Sequence, residues 1–264
     1  MNIDHYAKSV ASICLGGINT LRQAMEVANR QSAPRPTGVR LNRSVFSSTI
    51  ASAKMGTINR NRYTTDYAKP KVNFAWSAAL DGSASMSFGD DTPMGNAWEE
   101  CVALLHVLHT VSQRLGGKSA SALVHYEGSS EDVPQGSSLA IRPVASIIKG
   151  ETDFWKQEYP RRLKKVKMGG GTSLVAYAET AIDLVKPMRA DWKVAFFLTD
   201  GDCSDKKYLE SLRLQALAEG IILIGIGIGV SGAGLPNGLN GENANQIAPV
   251  MLKHIAETIK GYQQ

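Results

Sequence analysis

The chain has 264 residues, 43% hydrophobic and 20% charged, a composition that fits a soluble globular protein of one large domain, or one domain and an extension. No apolar run reaches the roughly 18 residues of a membrane span, and three scattered cysteines, Cys14, Cys101 and Cys203, fit neither a disulfide framework nor a zinc site. The net charge of +5 is uneven: residues 1–70 carry ten Lys/Arg against three Asp/Glu, while the remainder is slightly acidic. The N-terminus has no basic-then-apolar signal pattern, because Asp4 and His5 precede a short, interrupted apolar stretch, so a cytoplasmic location is expected.

Residues 5–30 read as a helix, with Ala7, Val10, Ile13, Leu21, Met25 and Ala28 near a helical period. "SAPRPTG" (32–38) is a linker by composition, and residues 41–55 suit a second short helix. These segments form a basic, mainly helical extension over 1–70, ahead of a main domain over 71–264. The excess charge of the extension suits either contact with nucleic acid or an acidic partner, or simply a solvated helical face; no nucleic-acid motif accompanies it.

From residue 72 onward, strand-length apolar runs alternate with amphipathic helical stretches. Strands are predicted at 72–80, 119–127, 193–200 and 221–229, with an edge strand over 139–148. Helices are predicted at 95–115, 173–188, 205–220 and from Ile247 onward, with a short one around 153–166 broken near Pro160. Residues 230–245 read as a long Gly/Asn loop. The alternation implies a doubly wound, mainly parallel α/β sheet covered by helices on both faces, in which ligands bind at the carboxyl ends of the strands.

Three segments bring oxygen-bearing side chains to that edge. "DGSAS" ends the first strand with Asp81, Ser83 and Ser85; "GGGTS" opens a helix with Thr172; and "LTDGD" ends a buried strand with Asp200. A hard cation such as Mg²⁺ takes about six oxygens and keeps several waters. Three hydroxyls would serve as neutral ligands while Asp81 and Asp200 bring charge, leaving the cation short of electron density and receptive to an acidic group from a partner. Glycines 169–171 allow close approach of the backbone. Each segment alone also reads as a turn or a helix cap, with Thr172 or Ser173 as the capping residue; the three in this order favour a shared cation.

On these residues the stretch 72–262 resembles a von Willebrand factor A (VWA) domain, and Asp81, Ser83, Ser85, Thr172 and Asp200 match its metal-ion-dependent adhesion site (MIDAS). Within that superfamily, "VNFAWSAALDGSASM", "LTDGDCSD" and the "LIGIGIGV" strand are similar to the C-terminal region of CobT-like cobalt chelatase subunits. The resemblance implies a Rossmann-like VWA fold and Mg²⁺, with Mn²⁺ or Ca²⁺ as alternatives. It also implies a protein partner that supplies an acidic ligand, a MoxR- or CobS-like AAA+ ATPase. An insert, "SFGDDTPMGN", carries Asp90 and Asp91 near the presumed site, where they would repel such a ligand or supply an internal one. With Gly171 and Asp202, they are the candidate partner-contacting positions.

Catalytic readings find less support. Gly82-Ser83-Ala84-Ser85-Met86 is not a nucleophile elbow, and no histidine has an evident triad partner. "GIGIGVSGAG" lacks the helix of a dinucleotide loop, and "MGGGTSL" lacks the lysine of a P-loop. His106 and His109 have i, i+3 spacing but no third metal ligand, and with His125 they read as core or surface residues. The expectation is a non-enzymatic adaptor; the alternative is a structural or adhesive module that works without an ATPase.

Overall fold

A computed structural model of the chain describes residues 3–29, 40–41, 51, 54–55, 63–64, 74–87, 97–126, 143–156, 159, 163, 173–201, 206–229 and 235–261. The chain divides into two compact units, Met1–Asn19 with Asn73–His254, and Thr20–Val72 with Ile255–Gln264. The first unit holds the main sheet. The second contains a two-stranded antiparallel ribbon of β1 (Arg40–Leu41) and β2 (Tyr63–Thr64), which no sequence pattern announces in strands this short. The predicted linker at 32–38 and most of the predicted helix at 41–55 lie outside the described residues.

The single helix expected over 5–30 is two: α1 (Ile3–Ile13) and α2 (Leu15–Asn29), separated by a turn residue at Cys14. The break precedes Gly16 and Gly17, poor helix formers, and the Cβ position of Gly17 lies 3.1 Å from Leu252. Close packing therefore favours the missing side chain there over helix propensity.

The main sheet comprises β3 (Phe74–Asp81), β4 (Lys118–Tyr126), β5 (Pro143–Lys149), β6 (Trp192–Thr199), β7 (Ile221–Ile228) and β8 (Leu239–Gly241). Their spatial order is β5-β4-β3-β6-β7-β8, and every pair is parallel except β4–β5. This is the doubly wound, Rossmann-like α/β arrangement expected from the sequence, with one antiparallel edge strand. β8 falls in what reads as a loop, since three residues are too few to display a period.

The connecting helices are α3 (Ala97–Leu115), α4 (Leu174–Val185), α5 (Lys206–Ala218) and α6 (Ala244–Gly261). Ser173 caps α4, its side chain accepting from the Ala176 N–H, and Gly220 ends the turn after α5 with φ of 74°, a left-handed conformation that suits glycine. Tyr159 and Leu163 are helical, but residues 153–156, where that helix was expected to begin, are not, and the rest of it lies outside the described residues.

All eight residues of β3 are buried, and alternate side chains serve opposite faces. Ala75 and Ala79 join Val124, Ala195, Phe197 and Leu223 beneath Tyr177, Ala181 and Leu209 of α4 and α5. On the same face the Ser77 hydroxyl donates to the Ala181 carbonyl. The small side chains of β3 let α4 lie close over the sheet centre. Trp76 turns to the other face, edge-on to Phe74 and Phe196. α3 packs against strands β3, β4, β6 and β7, and carries α1 on its outer side.

The buried Glu100 of α3 ties this layer together: its Oε2 accepts from the Tyr6 hydroxyl at 2.6 Å and from the Ala244 N–H at 2.7 Å. Burial and the Glu100 carboxylate push the Tyr6 phenol well above its ordinary range. Among the described residues no helix is long and apolar enough to cross a membrane.

Candidate metal centre

The chain leaves β3 for β4 on one side and later places β6 on the other, so the crevice at the carboxyl ends of β3 and β6 is the topological switch point of the sheet. Leu80 is in register with Leu198, which sets Asp81 beside Thr199 and brings Asp200 to the same edge. Asp81, Ser83, Ser85 and Asp200, distant in sequence, thus meet.

Asp81 is fully buried, and three protein donors hold its carboxylate. Oδ1 accepts from the Ser83 N–H and the Tyr177 hydroxyl, each at 2.8 Å, and Oδ2 accepts from the Thr199 hydroxyl at 2.6 Å. The Thr199 oxygen in turn accepts from the Gly201 N–H at 2.9 Å, which tightens the turn that carries Asp200. A buried carboxylate left without such partners would carry the full cost of its desolvation.

Between Asp81 and Ser83 the backbone bends at Gly82, whose N–H donates to the Val124 carbonyl at 2.8 Å. A Cβ there would lie 2.8 Å from the same oxygen, so only glycine fits the bend. A short 3-10 turn, Ala84–Ser87, follows and lifts Ser85 to the surface while Ser83 stays buried.

Three oxygens then form a string. Ser83 Oγ lies 2.9 Å from Ser85 Oγ, and Ser85 Oγ donates to Asp200 Oδ1 at 2.9 Å. Burial pushes the Asp200 carboxyl above its usual range; the Ser85 hydroxyl pulls it down, and the negative charge of Asp81 pushes it up again. Two carboxylates that repel across a half-buried crevice, with hydroxyl oxygens between them, are an environment that a divalent cation relieves. Beneath them the Cys101 thiol is fully buried and pushed well up, by burial first and then by Asp81, Asp200 and Glu100, so it is an unreactive core group.

Thr172 and Gly171, and with them Asp90, Asp91 and Asp202, lie outside the described residues, as do Cys203 and most of the basic stretch 161–167. The described neighbour of Thr172 is Ser173, which caps α4 and so starts that helix at the site. Tyr177 and Thr199 were not singled out in the sequence; Thr199 is the residue before Asp200, and Tyr177 lies one turn into the helix that "GGGTS" opens.

Of the histidines read as core or surface residues, His106 and His109 are buried and hydrogen-bonded. His109 has both ring nitrogens 2.9 Å from hydroxyls, those of Ser119 and Ser121, and His106 Nδ1 accepts from the Trp155 indole N–H at 2.9 Å. Among the described residues no group of three or more His, Cys, Asp or Glu is placed to hold a metal.

No protein-family model matches the chain, and no curated protein matches it in sequence. Among solved structures, proximal thread matrix protein 1 from the mussel byssus is 17% identical over 71% of this chain and 46% of its own, with a TM-score of 0.49. A structure of the same protein described as having a zinc-occupied MIDAS motif gives 17% identity and a TM-score of 0.48, with the same coverage. The VWA domain of SpRpn10 is 13% identical over 71% of this chain and 82% of its own, with a TM-score of 0.44. The chain thus spans less than half the length of the byssus protein it matches.

Proposed function

We propose that the chain is a VWA-type module that holds a divalent cation at the switch point of its sheet and uses it to dock an acidic side chain of a protein partner. The observation that carries this reading is the string Ser83 Oγ–Ser85 Oγ–Asp200 Oδ1, with both steps 2.9 Å, backed by the buried Asp81. Hydroxyl and carboxylate oxygens gathered this closely can serve as adjacent ligands of one hard cation. The reading takes Mg²⁺ as the cation, with Mn²⁺ or Ca²⁺ as alternatives.

Asp81 has three of its roughly four acceptor positions engaged by Ser83, Tyr177 and Thr199. It orients the loop and supplies field rather than a free ligand face. Ser83 and Ser85 are neutral ligands, and Asp200 brings the nearer charge. The bound cation would supply a Lewis-acidic centre with unsatisfied positive charge, and Thr172 is the further hydroxyl of the reading. Among the described residues no further carboxylate joins Asp81 and Asp200 at this edge, and a carboxylate from a partner would complete the set.

The resemblance to CobT-like subunits extends the proposal to the partner, a MoxR- or CobS-like AAA+ ATPase that would itself hydrolyse ATP, with this chain as a non-catalytic adaptor. The test is capture from host extract by the full chain, wild type and Ser85→Ala, each in Mg²⁺ and in EDTA. Ser85 is exposed, so its substitution leaves the fold in place. An AAA+ protein retained only by wild type in Mg²⁺ is the expected result. A metal-dependent partner that is not an ATPase would point to the adhesive alternative. Capture indifferent to both metal and Ser85 would refute the metal-mediated reading.

A further inference from the structure

A cavity of about 540 Å³ opens beside α1 and the second half of α3, lined by Lys8 and Ser12 of α1, by His106, Thr110 and Arg114 of α3, and by Trp155. α3 leaves the carboxyl edge of the sheet and returns the chain to the start of β4, so this part of the helix lies toward the amino edge, away from Asp81 and Asp200. Nothing in the proposed metal chemistry uses it.

The lining is rich in donors. Among the described residues no carboxylate lines the cavity, and neither Lys8 nor Arg114 enters an ion pair. Because the Trp155 indole N–H donates to His106 Nδ1, the neutral imidazole must carry its proton on Nε2. Burial, and after it the charge of Lys8, lowers the His106 pKa to about 4, which keeps the ring in that neutral donor form near pH 7. The Gln113 amide is spent on the Trp155 carbonyl at 3.2 Å, which fixes the wall. Asp4, one turn before Lys8, is the opposing charge felt by His106, but it does not line the cavity.

We propose that this cavity binds a small organic phosphate, its phosphoryl group held by Lys8 and Arg114. Two cations match the charge of a phosphate monoester, about −1.5 to −2 at pH 7, and a guanidinium presents the fork geometry that phosphate oxygens accept. The volume lies in the range of small-molecule sites and far exceeds a bare phosphate, so the ligand carries an organic body. That body is not an aromatic ring stacked on Trp155, because the indole already stacks on His109 at 4.4 Å and on Tyr159 at 4.8 Å. A compact polar body such as a polyol suits the Thr110 hydroxyl and can donate to Ser12 Oγ, whose own proton goes to the Lys8 carbonyl at 2.9 Å.

The test is calorimetric titration of the full chain with glycerol 3-phosphate, inorganic phosphate and citrate. Saturable binding of glycerol 3-phosphate, tighter than inorganic phosphate and citrate, is expected. Lys8→Gln and Arg114→Gln should each weaken it about tenfold or more, the loss of one charge-assisted contact. Lys207→Gln, which removes an exposed cation from α5, should leave it unchanged. Absence of saturable binding would overturn the proposal, as would equal weakening by all three substitutions. Citrate binding as tightly as the phosphate ester would overturn the phosphate assignment, and inorganic phosphate doing so would overturn the organic body.

Discussion

Asp81 shows how a site is written at the level of single residues. Its carboxylate accepts from Ser83, Tyr177 and Thr199 at 2.6 to 2.8 Å, so the fold itself fixes the group in place. Removing one donor from a buried charge costs more than an average hydrogen bond. Tyr177→Phe should therefore lower unfolding stability by about 1–3 kcal/mol, read as a lower urea midpoint with an unchanged slope; a midpoint equal to wild type would mean that this bond contributes nothing. Asp81, Ser83, Ser85 and Asp200 were legible in the sequence because each sits in a short local motif at the end of an apolar run. Tyr177 and Thr199 were not, since their bonds to Asp81 span 96 and 118 residues and a hydroxyl on a helix or strand carries no local mark of its partner.

At the scale of elements, the strands and helices of the main sheet were readable because burial, caps and stops are local signals: the fully buried β3, Ser173 before α4, Gly220 after α5. The break at Cys14, the β1–β2 ribbon and β8 were not, because contacts far along the chain decide them. The amphipathic period of α3 likewise gave its inner face but not its polar content. His106 and His109 are both buried there, and burial, aided by neighbouring positive charge, lowers both pKa values, that of His106 to about 4. Between about pH 4 and 6.5 the unfolded chain takes up a proton at His106 that the folded chain refuses, and His109 acts in the same direction. Stability should therefore fall as the pH drops from 7 to 4.5, by up to about 3 kcal/mol for His106 alone. Urea midpoints across that range check the slope, and His106→Gln should flatten it; a wild-type midpoint constant over the range would contradict the burial of neutral rings.

For the whole molecule, the decisive feature is the strand order. Placing β3 between β4 and β6 makes its carboxyl end the switch point, and the register of β3 with β6 delivers Asp81 and Asp200 there together. The oxygen string that results is poor in charge for a resident cation site, which is the reason an outside carboxylate would complete it. Every functional consequence of the proposal rests on a cation at this edge. The most direct measurement is Mn²⁺ binding followed by electron paramagnetic resonance, on wild type, Ser85→Ala and Asp200→Asn, with Mg²⁺ as competitor. The account predicts saturable binding of one ion by wild type, displaced by Mg²⁺ and weakened about tenfold or more in each variant. Equal Mn²⁺ affinity in all three chains, or no saturable binding by wild type, would contradict it.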